Sequence, residues 1–541
     1  MPTRPAVRSL PALAAAGSVL MAAASWWVAA TPVRFEHERP GPLSWFPVHG
    51  VVPFAVSYLG LALLCFAWLV VGRRLLIGDP RITARFLHRF LFCAATPFVL
   101  AAPYGRDLWA YAAQGNVVAH GVDPYVHGPA AVPGAFTAEV SGRWLHSPTP
   151  YGPLWLRLSQ AADWISGNHP TIAALLLRLP ALAGLLLCAW ALAVLATRLR
   201  LGGRMPRAVP LALWLGLASP LTVVLGVGGG HNDLIMMGLA FAATALAARP
   251  GAFALVAGAA LGAAAVLVKS PAAIAMAFTV PIWLYCNGAN RDNRAGRQLT
   301  RIVTACAVAL AGCVLALIGI SVMCGLGTGW TRQVNSDAQW VSWLSLPSAI
   351  AMGIHAVDGT ALKAVDGLMH DCRTAGEVVT VLVLIGLWLA ALRQSRQRPH
   401  PVALLVIALA VAAVLAPSVQ PWYYCWALAP AGLVVARRAA IVALAAIGLL
   451  FAVMITPDGY GLESGPWAPV VIVASLLICR LALREPRSAT DDDGADHPGP
   501  EVRADHRAER RYGELTDLGN GRSQLRRHRL GPLQRIAVVD G

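Results

Sequence analysis

Long, uninterrupted apolar runs recur along most of this 541-residue chain and limit the folds open to it. Each run has about 16 to 24 residues, and a helix of about 20 residues crosses the hydrocarbon core of a bilayer. Hydrophobic residues make up 57% of the chain and charged residues only 13%, unlike a soluble globular protein. Because the runs are continuous rather than alternating, a transmembrane β-barrel is excluded. The sequence therefore predicts an all-α polytopic membrane protein with about 14 transmembrane helices.

Arginine is concentrated in alternate loops, near residues 73–89, 198–207, 291–301, 393–398 and 437–438. Basic loops stay on the cytoplasmic side of a membrane, and here the acidic residues before residue 485 lie mainly in the other loops. The formal net charge of +16 therefore indicates topology rather than nucleic-acid binding. We expect a multi-pass plasma-membrane protein with both termini in the cytoplasm and its polar chemistry at the outer face. This alternation requires the first apolar run, residues 10–30, to remain as a span rather than be removed as a signal peptide.

Residues 1–484 are predicted to form the membrane domain, with large outer loops at 103–170 and 325–376. Spans are predicted at 86–102 and 208–227, among others. From residue 485 to residue 541 the chain is rich in charge and poor in large apolar residues, which predicts a disordered cytoplasmic tail. The ten cysteines are scattered without the spacing of a metal site, so we expect no metal and no cofactor.

The stretch Tyr104–Tyr125 carries several ionisable side chains between apolar segments. A carboxylate at a membrane boundary is costly unless it has a function or a partner. Asp107 precedes a predicted helix on which Tyr111 and Gln114 share its face, so we expect it to act as a general base. Asp123 is the alternative base, although an Asp before Pro in a glycine-containing turn is typical of a turn former.

Other outer junctions contribute further candidates. A glycine-rich segment, GVGGGHNDL, precedes an apolar run and lets a ligand approach the backbone, although Asn232 and Asp233 are also suited to capping a helix. Lys269 is predicted at the outer tip of a helical hairpin, where it either binds phosphate or extends to the membrane surface. The candidates for binding a phosphate are Arg106, His231, Lys269 and Arg332. The candidates for binding a sugar, several of which also suit an aromatic belt at the membrane interface, are Tyr111, Gln114, Tyr125, Trp144, Tyr151, Asn232, Asp233, Gln420, Trp422 and Tyr423.

Four motifs then occur in order: GRDLWAYAAQGNVVAHGVDPY, SPTPYGPLW, GGGHNDL and QPWYYCWALAP. Across roughly residues 40–480 the chain resembles the actinobacterial polyprenol-phosphomannose-dependent α-(1→6)-mannosyltransferases of lipomannan biosynthesis, which belong to the GT-C superfamily of glycosyltransferases. The resemblance implies a GT-C-like helical bundle with outer catalytic loops and an acidic residue in the first large outer loop, a position that Asp107 matches best. It also implies an inverting transfer of mannose from polyprenyl-phosphate-mannose to a growing mannan of a lipoglycan at the outer face.

Two other functions stay open on the sequence. A GT-C transferase of another lipid-phosphate sugar, such as arabinofuranose, would use the same outer carboxylate and the same kind of donor. A transporter or lipid flippase would have a similar number of spans, but it would be expected to show inverted repeats and charges near the bilayer midplane. A metal-dependent enzyme for nucleotide sugars is disfavoured because the outer loops contain no Asp-X-Asp motif.

Overall fold

The computed structural model describes residues 7–33, 47–199, 207–287, 295–333, 341–358, 367–393, 400–454, 457 and 468–484. All regular secondary structure within these residues is helical, as predicted. The predicted tail at 485–541 and part of the second large outer loop lie outside them. The α-helices of more than eight residues are Leu10–Val28, Val51–Leu76, Ala84–Ala95, Asp107–Ala119, Pro153–Ile165, Arg178–Arg198, Asp233–Ala247, Ala252–Val266, Ala295–Cys324, Leu346–Asp358, Gly367–Leu392, Pro401–Leu415, Arg438–Met454 and Ala468–Ala482.

Five helical segments in the described part of the chain are long and apolar enough to cross a membrane. They are Val7–Val28, Val51–Leu76, Pro170–Arg198, Gly296–Cys324 and Gly367–Leu392. A bent pair of helical segments makes a sixth if it is counted as one span, and the remaining apolar helices are 10–17 residues long. A 15-residue helix is only about 22 Å long, less than the hydrocarbon thickness. The helical membrane class is therefore confirmed, whereas a count of about 14 spans stays a prediction.

Two predicted spans are not the straight helices that we expected. The segment predicted as a span at 86–102 consists of helix Ala84–Ala95 and a 3-10 turn, Thr96–Leu100, that begins at a proline-containing sequence. The span predicted at 208–227 is bent by 58° between Leu217 and Thr222. Pro220 lies in the break, and a proline cannot donate the backbone hydrogen bond that would continue a helix. The hydroxyl of Thr222 donates to the Gly216 carbonyl across the break, which partly replaces the lost bond.

The bent segment is fixed against helix Val51–Leu76 by two tryptophans. The indole nitrogen of Trp68 donates to the Trp214 carbonyl at 2.9 Å, and that of Trp214 donates to the Trp68 carbonyl at the same distance. The rings stack with their centroids 4.9 Å apart. Because both indole N–H groups are satisfied by backbone, two large side chains are buried here without an unpaired donor.

Glycines allow helix Asp233–Ala247 to pack closely against helix Arg178–Arg198. A Cβ atom added to Gly238 would lie 2.6 Å from the Gly184 carbonyl oxygen, and one added to Gly184 would lie 2.1 Å from the Leu234 carbonyl oxygen. Small residues at such crossings are typical of membrane helices, whose association depends on close backbone packing. The contact sets the position of the helix that begins at Asp233.

We predict that Gly238→Leu destabilises the protein by about 3 kcal/mol, because the added side chain must displace backbone rather than a flexible side chain. Thermal unfolding of the purified protein in detergent measures the effect. Gly386→Leu is the matched control, since a Cβ atom at Gly386 meets nothing within 4 Å. Equal losses in the two variants would contradict the close helix contact.

Candidate active site

The helix expected after Asp107 is present, and it begins one residue earlier, at Asp107 itself, as helix Asp107–Ala119. Gly105, with a φ of 102°, allows the sharp turn that leads into the helix. The Asp107 side chain is 25% exposed, and its negative charge is favoured at a helix N-terminus. The expected face is also present, because Tyr111 and Gln114 line the same cleft as Asp107.

The opposite wall of this cleft is formed by the loop before helix Pro153–Ile165, including Trp144 and Tyr151. The Tyr111 ring packs edge-on against Tyr151 and against Trp155, with both centroid distances 5.2 Å. Burial raises the pKa of the Tyr111 phenol, and the nearby carboxylate of Asp107 adds to this effect. Tyr111 therefore keeps its proton at physiological pH and can donate a hydrogen bond.

The glycine-rich segment brings His231 next to Asp107. Nδ1 of His231 lies 3.6 Å from Oδ2 of Asp107. Gly230 has a φ of 64°, and a Cβ atom there would lie 2.6 Å from a Leu108 methyl carbon, so glycine permits both the turn and the close approach. The imidazole of His231 stacks on the Trp422 indole at a centroid distance of 3.6 Å. Burial lowers the pKa of His231, and the positive charge of Lys269 lowers it further, so the ring is neutral at physiological pH.

Several buried polar atoms beside Asp107 have no hydrogen-bond partner within the described residues. They include both ring nitrogens of His231, both side-chain amide atoms of Asn232 and the indole nitrogen of Trp422, together with the Tyr111 hydroxyl and the Gln114 side-chain oxygen. Asn232 occupies the N-cap position of its helix, yet its side chain makes no capping hydrogen bond, so the capping interpretation is wrong for this amide. Unpaired buried polar groups are rare and costly, which makes this group a candidate for contact with a polar ligand.

Asp233 and Lys269 form a buried ion pair behind the cleft. Nζ of Lys269 lies 2.8 Å from Oδ2 of Asp233, and the other carboxylate oxygen accepts a hydrogen bond from the Trp426 indole at 2.9 Å. The ammonium also lies 4.6 Å from the centre of the Tyr423 ring, a favourable cation–π distance. Lys269 is therefore buried with its charge balanced by Asp233, rather than extended to the surface of the protein.

The loop before helix Pro153–Ile165 docks on the turn that carries Lys269. The backbone N–H of Gly152 donates to the Val268 carbonyl, and that of Leu154 donates to the Leu267 carbonyl. A Cβ atom on Gly152 would lie 2.2 Å from the Leu267 oxygen, so the motif SPTPYGPLW requires glycine at this contact. The SPTPYGPLW motif and the Lys269 turn, far apart in sequence, are thus brought together.

Other candidates have different surroundings. Arg106 donates to the Glu139 carbonyl at 3.3 Å and lies 4.0 Å from the Glu139 carboxylate, so it fastens the outer loop. Tyr125 packs in a separate cluster with Leu156 and Trp330, and Arg332 is exposed in the 3-10 turn Gly329–Arg332 beside it.

The two remaining candidates, Asp123 and Gln420, lie in a turn and directly before a turn, respectively. Asp123 accepts a hydrogen bond from the Tyr125 backbone N–H at 2.9 Å, the contact of a turn former. Gln420 is half-buried and precedes the 3-10 turn Pro421–Tyr424, which carries Trp422 and Tyr423.

Sequence reasoning missed two residues that organise the site. Trp426 binds the Asp233 carboxylate, and its position one helical turn after Trp422 was the available signal. Arg178 is fully buried and donates to the Gly228 carbonyl at 2.9 Å. The same carbonyl accepts from the Tyr104 backbone N–H at 3.3 Å, so it joins the glycine segment to the stretch that leads to Asp107. A lone arginine in an apolar run was the signal here.

We predict that Lys269→Met and Asp233→Asn each destabilise the protein by about 3 to 5 kcal/mol, because each leaves a buried polar or charged partner uncompensated. The double variant, Asp233→Asn with Lys269→Met, is expected to lose much less than the sum of the two single losses. Thermal unfolding in detergent measures all three variants. Additive losses would show that the two side chains do not stabilise each other.

The lowered pKa of His231 predicts a loss of stability in acid. The unfolded chain takes up the proton more readily than the folded protein does, so the stabilisation is complete above about pH 6.5, the ordinary value for histidine. It is lost at about 1.4 kcal/mol per pH unit as the pH falls below that value. Unfolding measured from about pH 7.5 to about pH 5 should therefore depend less on pH in His231→Gln. His88→Gln, at an exposed histidine, is the control and should retain the wild-type slope.

Comparison with known proteins places the chain in one family. Residues 12–285 match the family model described as "Alpha-(1->6)-mannopyranosyltransferase, N-terminal domain", and residues 347–484 match the model described as "MptB C-terminal domain". No solved structure matches the chain.

Several relatives cover most of the chain. Alpha-(1->6)-mannopyranosyltransferase A of Mycobacterium tuberculosis is 33% identical over 424 residues, which cover 77% of this chain and 78% of the relative. Alpha-(1->6)-mannopyranosyltransferase A of Corynebacterium glutamicum is 30% identical over 387 residues, covering 68% of this chain and 76% of the relative. Alpha-(1->6)-mannopyranosyltransferase B of the same organism is 26% identical over 448 residues, which cover 78% of this chain and 72% of the relative. With two domain models and relatives of this similarity in agreement, the chain belongs to the alpha-(1->6)-mannopyranosyltransferase family.

Proposed function

We propose that this protein is a mannosyltransferase that moves mannose from polyprenyl-phosphate-mannose to a growing α-(1→6)-mannan of a lipoglycan. The membership of the alpha-(1->6)-mannopyranosyltransferase family supports the mannosyl transfer. The observation that carries the mechanism is the partly exposed Asp107 carboxylate, which lines a cleft of aromatic rings and lies beside buried polar groups with no hydrogen-bond partner among the described residues. One carboxylate in this position suits a reaction that needs a single general base.

The proposed reaction inverts the anomeric carbon of mannose. A hydroxyl oxygen of the acceptor forms a bond to that carbon, the bond from the carbon to the phosphate oxygen breaks, and the lipid phosphate leaves with the electron pair. Asp107 takes the proton of the attacking hydroxyl. The leaving phosphate is a stable anion, so no general acid is required, in contrast to the hydrolysis of a glycoside between two sugars.

Stabilisation of the leaving phosphate is assigned to groups beside Asp107. The neutral His231 ring carries one N–H donor, and the Asn232 amide carries two. Lys269 lies behind these groups and contributes a positive charge, which the Asp233 carboxylate partly balances. Arg106 is 23% exposed and is held by Glu139, so in this proposal it shapes the loop rather than contacting phosphate directly.

Aromatic and amide side chains are assigned to the sugars. Tyr111 and Gln114 line the cleft on the Asp107 side, Trp144 and Tyr151 line its opposite wall, and sugar rings stack well on aromatic faces. Trp422 and Tyr423 face it from the C-terminal half of the chain, through the His231 stack and the Lys269 contact. This division would place the acceptor chain along the outer loop and the donor phosphate against the glycine segment.

The active site is proposed to face outward, with both termini and the tail at 485–541 in the cytoplasm. The long helix Ala295–Cys324 supports this arrangement, because its Cys324 carbonyl accepts a hydrogen bond from Arg157 of the outer-loop helix Pro153–Ile165. Its other end carries Arg297 and Arg301, which belong to the basic segment 291–301 that the charge distribution assigns to the cytoplasm. A helix of 30 residues is about 45 Å long, sufficient to cross the whole bilayer.

We predict that Asp107→Asn lowers mannosyl transfer by about 100-fold to 10 000-fold, the usual range for loss of a general base. Asp123→Asn is the matched control and should keep near-normal transfer, because Asp123 is committed to a backbone turn. The assay uses membranes that contain each variant, with radiolabelled polyprenyl-phosphate-mannose as donor and a short α-(1→6)-mannoside as acceptor. Immunoblotting corrects for the amount of protein.

Near-normal transfer by Asp107→Asn would remove Asp107 as the base, and a selective loss in Asp123→Asn would assign that role to Asp123. Transfer from GDP-mannose while synthesis of the lipid-linked sugar is blocked would refute the proposed donor. Transfer of arabinofuranose rather than mannose from a lipid phosphate would refute the proposed sugar.

A further inference from the structure

A second cavity lies apart from the Asp107 cleft, among helices Ala252–Val266, Thr279–Cys286 and Ala295–Cys324. Its volume is about 420 Å³. None of its residues takes part in the site described above. The cavity is lined by Ala252, Leu255, Trp283, Arg297, Thr300, Arg301, Thr304, Ala305 and Val308.

This cavity and the Asp107 cleft are separated by nearly the length of a membrane span. Cys324, at the end of helix Ala295–Cys324, receives a hydrogen bond from Arg157 on the side of the outer loop. Arg301 lies 23 residues earlier on the same helix, which is about 35 Å along its axis. The cavity and the Arg157 contact therefore lie near opposite ends of a helix long enough to cross a bilayer.

One wall of the cavity presents cationic and hydroxyl groups in a regular pattern. Arg297 and Arg301 are four residues apart on one helix, and so are Thr300 and Thr304, so the two pairs occupy neighbouring positions on the helix surface. The guanidinium group is planar and donates two parallel hydrogen bonds to a phosphate, and two such groups one turn apart can hold a single phosphodiester.

The other described residues that line the cavity are mainly apolar. Leu255, Ala305 and Val308 contribute aliphatic surface, and the indole nitrogen of Trp283 already donates to the Gly251 carbonyl at 2.9 Å. The same long helix exposes further apolar side chains, with Val303 at 58% and Leu310 at 64% exposure. An exposed apolar surface of this kind beside a basic cluster suits acyl chains next to a charged headgroup.

We propose that this cavity binds the headgroup of an anionic glycerophospholipid, with the phosphate at Arg297 and Arg301 and the acyl chains along the long helix. The assignment of the lipid to the inner leaflet rests on the topology of the proposed function, whereas the binding itself does not. A soluble phosphate would contact the arginines alone, whereas a phospholipid would also cover the apolar wall formed by Leu255, Ala305 and Val308. The lipid is therefore the favoured source of the phosphate.

Native mass spectrometry of the purified full-length protein tests this proposal, with phosphatidylglycerol and phosphatidylcholine added in detergent at equal concentrations. We expect the wild type to retain phosphatidylglycerol in preference to phosphatidylcholine. Arg297→Gln with Arg301→Gln should weaken retention of phosphatidylglycerol by about tenfold or more, since both charge-assisted contacts are lost. Arg85→Gln with Arg89→Gln is the matched control: this exposed pair has the same spacing, on helix Ala84–Ala95, and should leave that retention unchanged.

A variant with Arg297→Lys and Arg301→Lys keeps both positive charges. Its retention of phosphatidylglycerol should fall between that of the wild type and that of the glutamine variant, which would distinguish a loss of phosphate contacts from misfolding. Equal retention of the two lipids by the wild type, or unchanged retention in the glutamine variant, would overturn the proposal. So would complete competition by inorganic phosphate at the concentration of the lipid. Because the readout is lipid retention, a failure of the mannosyl-transfer assay would leave this result standing, and the reverse also holds.

Discussion

The buried contact among Lys269, Asp233 and Trp426 is the interaction on which the arrangement of the site depends. Taking two opposite charges out of water is costly, and the cost is offset only when their geometry is good and the remaining oxygen is hydrogen-bonded. Both conditions hold here, with an ion-pair distance of 2.8 Å and an indole donor on the second carboxylate oxygen. Asp233 and Lys269 lie in the segment matched by the N-terminal domain model, and Trp426 lies in the segment matched by the C-terminal one. The hydrogen bond from Trp426 to Asp233 therefore joins the two matched segments of the chain, and the ion pair with Lys269 fixes the carboxylate that accepts it.

A second contact between distant segments of the chain is made by the Gly228 carbonyl, on the N-terminal side of His231. It accepts hydrogen bonds from the buried Arg178 and from the Tyr104 backbone, three residues before Asp107. The glycine segment is thus held from both ends, by Arg178 before His231 and by the Asp233 ion pair after it. A histidine and an asparagine that lack hydrogen-bond partners within the described residues can be kept buried because the backbone on both sides is fixed. Preorganisation of this kind places polar groups for a ligand before the ligand arrives.

Much of this architecture follows from local properties of the sequence. The length of the apolar runs is sufficient to predict the helical membrane class. The helical period is sufficient to predict that Tyr111 and Gln114 share a helix face with Asp107. The turn chemistry of Asp123 was equally local. The bend at Pro220 was not predicted because the apolar content of the run does not change there. The backbone hydrogen bond lost at the break is partly replaced by a side-chain hydroxyl, so the break is compatible with a continuous apolar run. The pairing of Lys269 with Asp233 was missed because it depends on how helix Asp233–Ala247 packs against helix Ala252–Val266, whose following turn carries Lys269, and no local sequence signal specifies that packing.

The order of the site residues along the chain has a consequence for biogenesis. At about 5 to 20 residues per second, Trp422 is synthesised about 15 to 60 s after Asp107, so for that time the nascent protein carries the Asp107 carboxylate without the rest of the candidate site. Asp233 is without its cation for a much shorter interval, about 2 to 7 s, because Lys269 follows 36 residues later. The hairpin that carries Lys269 can thus neutralise the buried acid while the translocon still holds the early helices. Assembly of the reactive centre is left to the last quarter of translation.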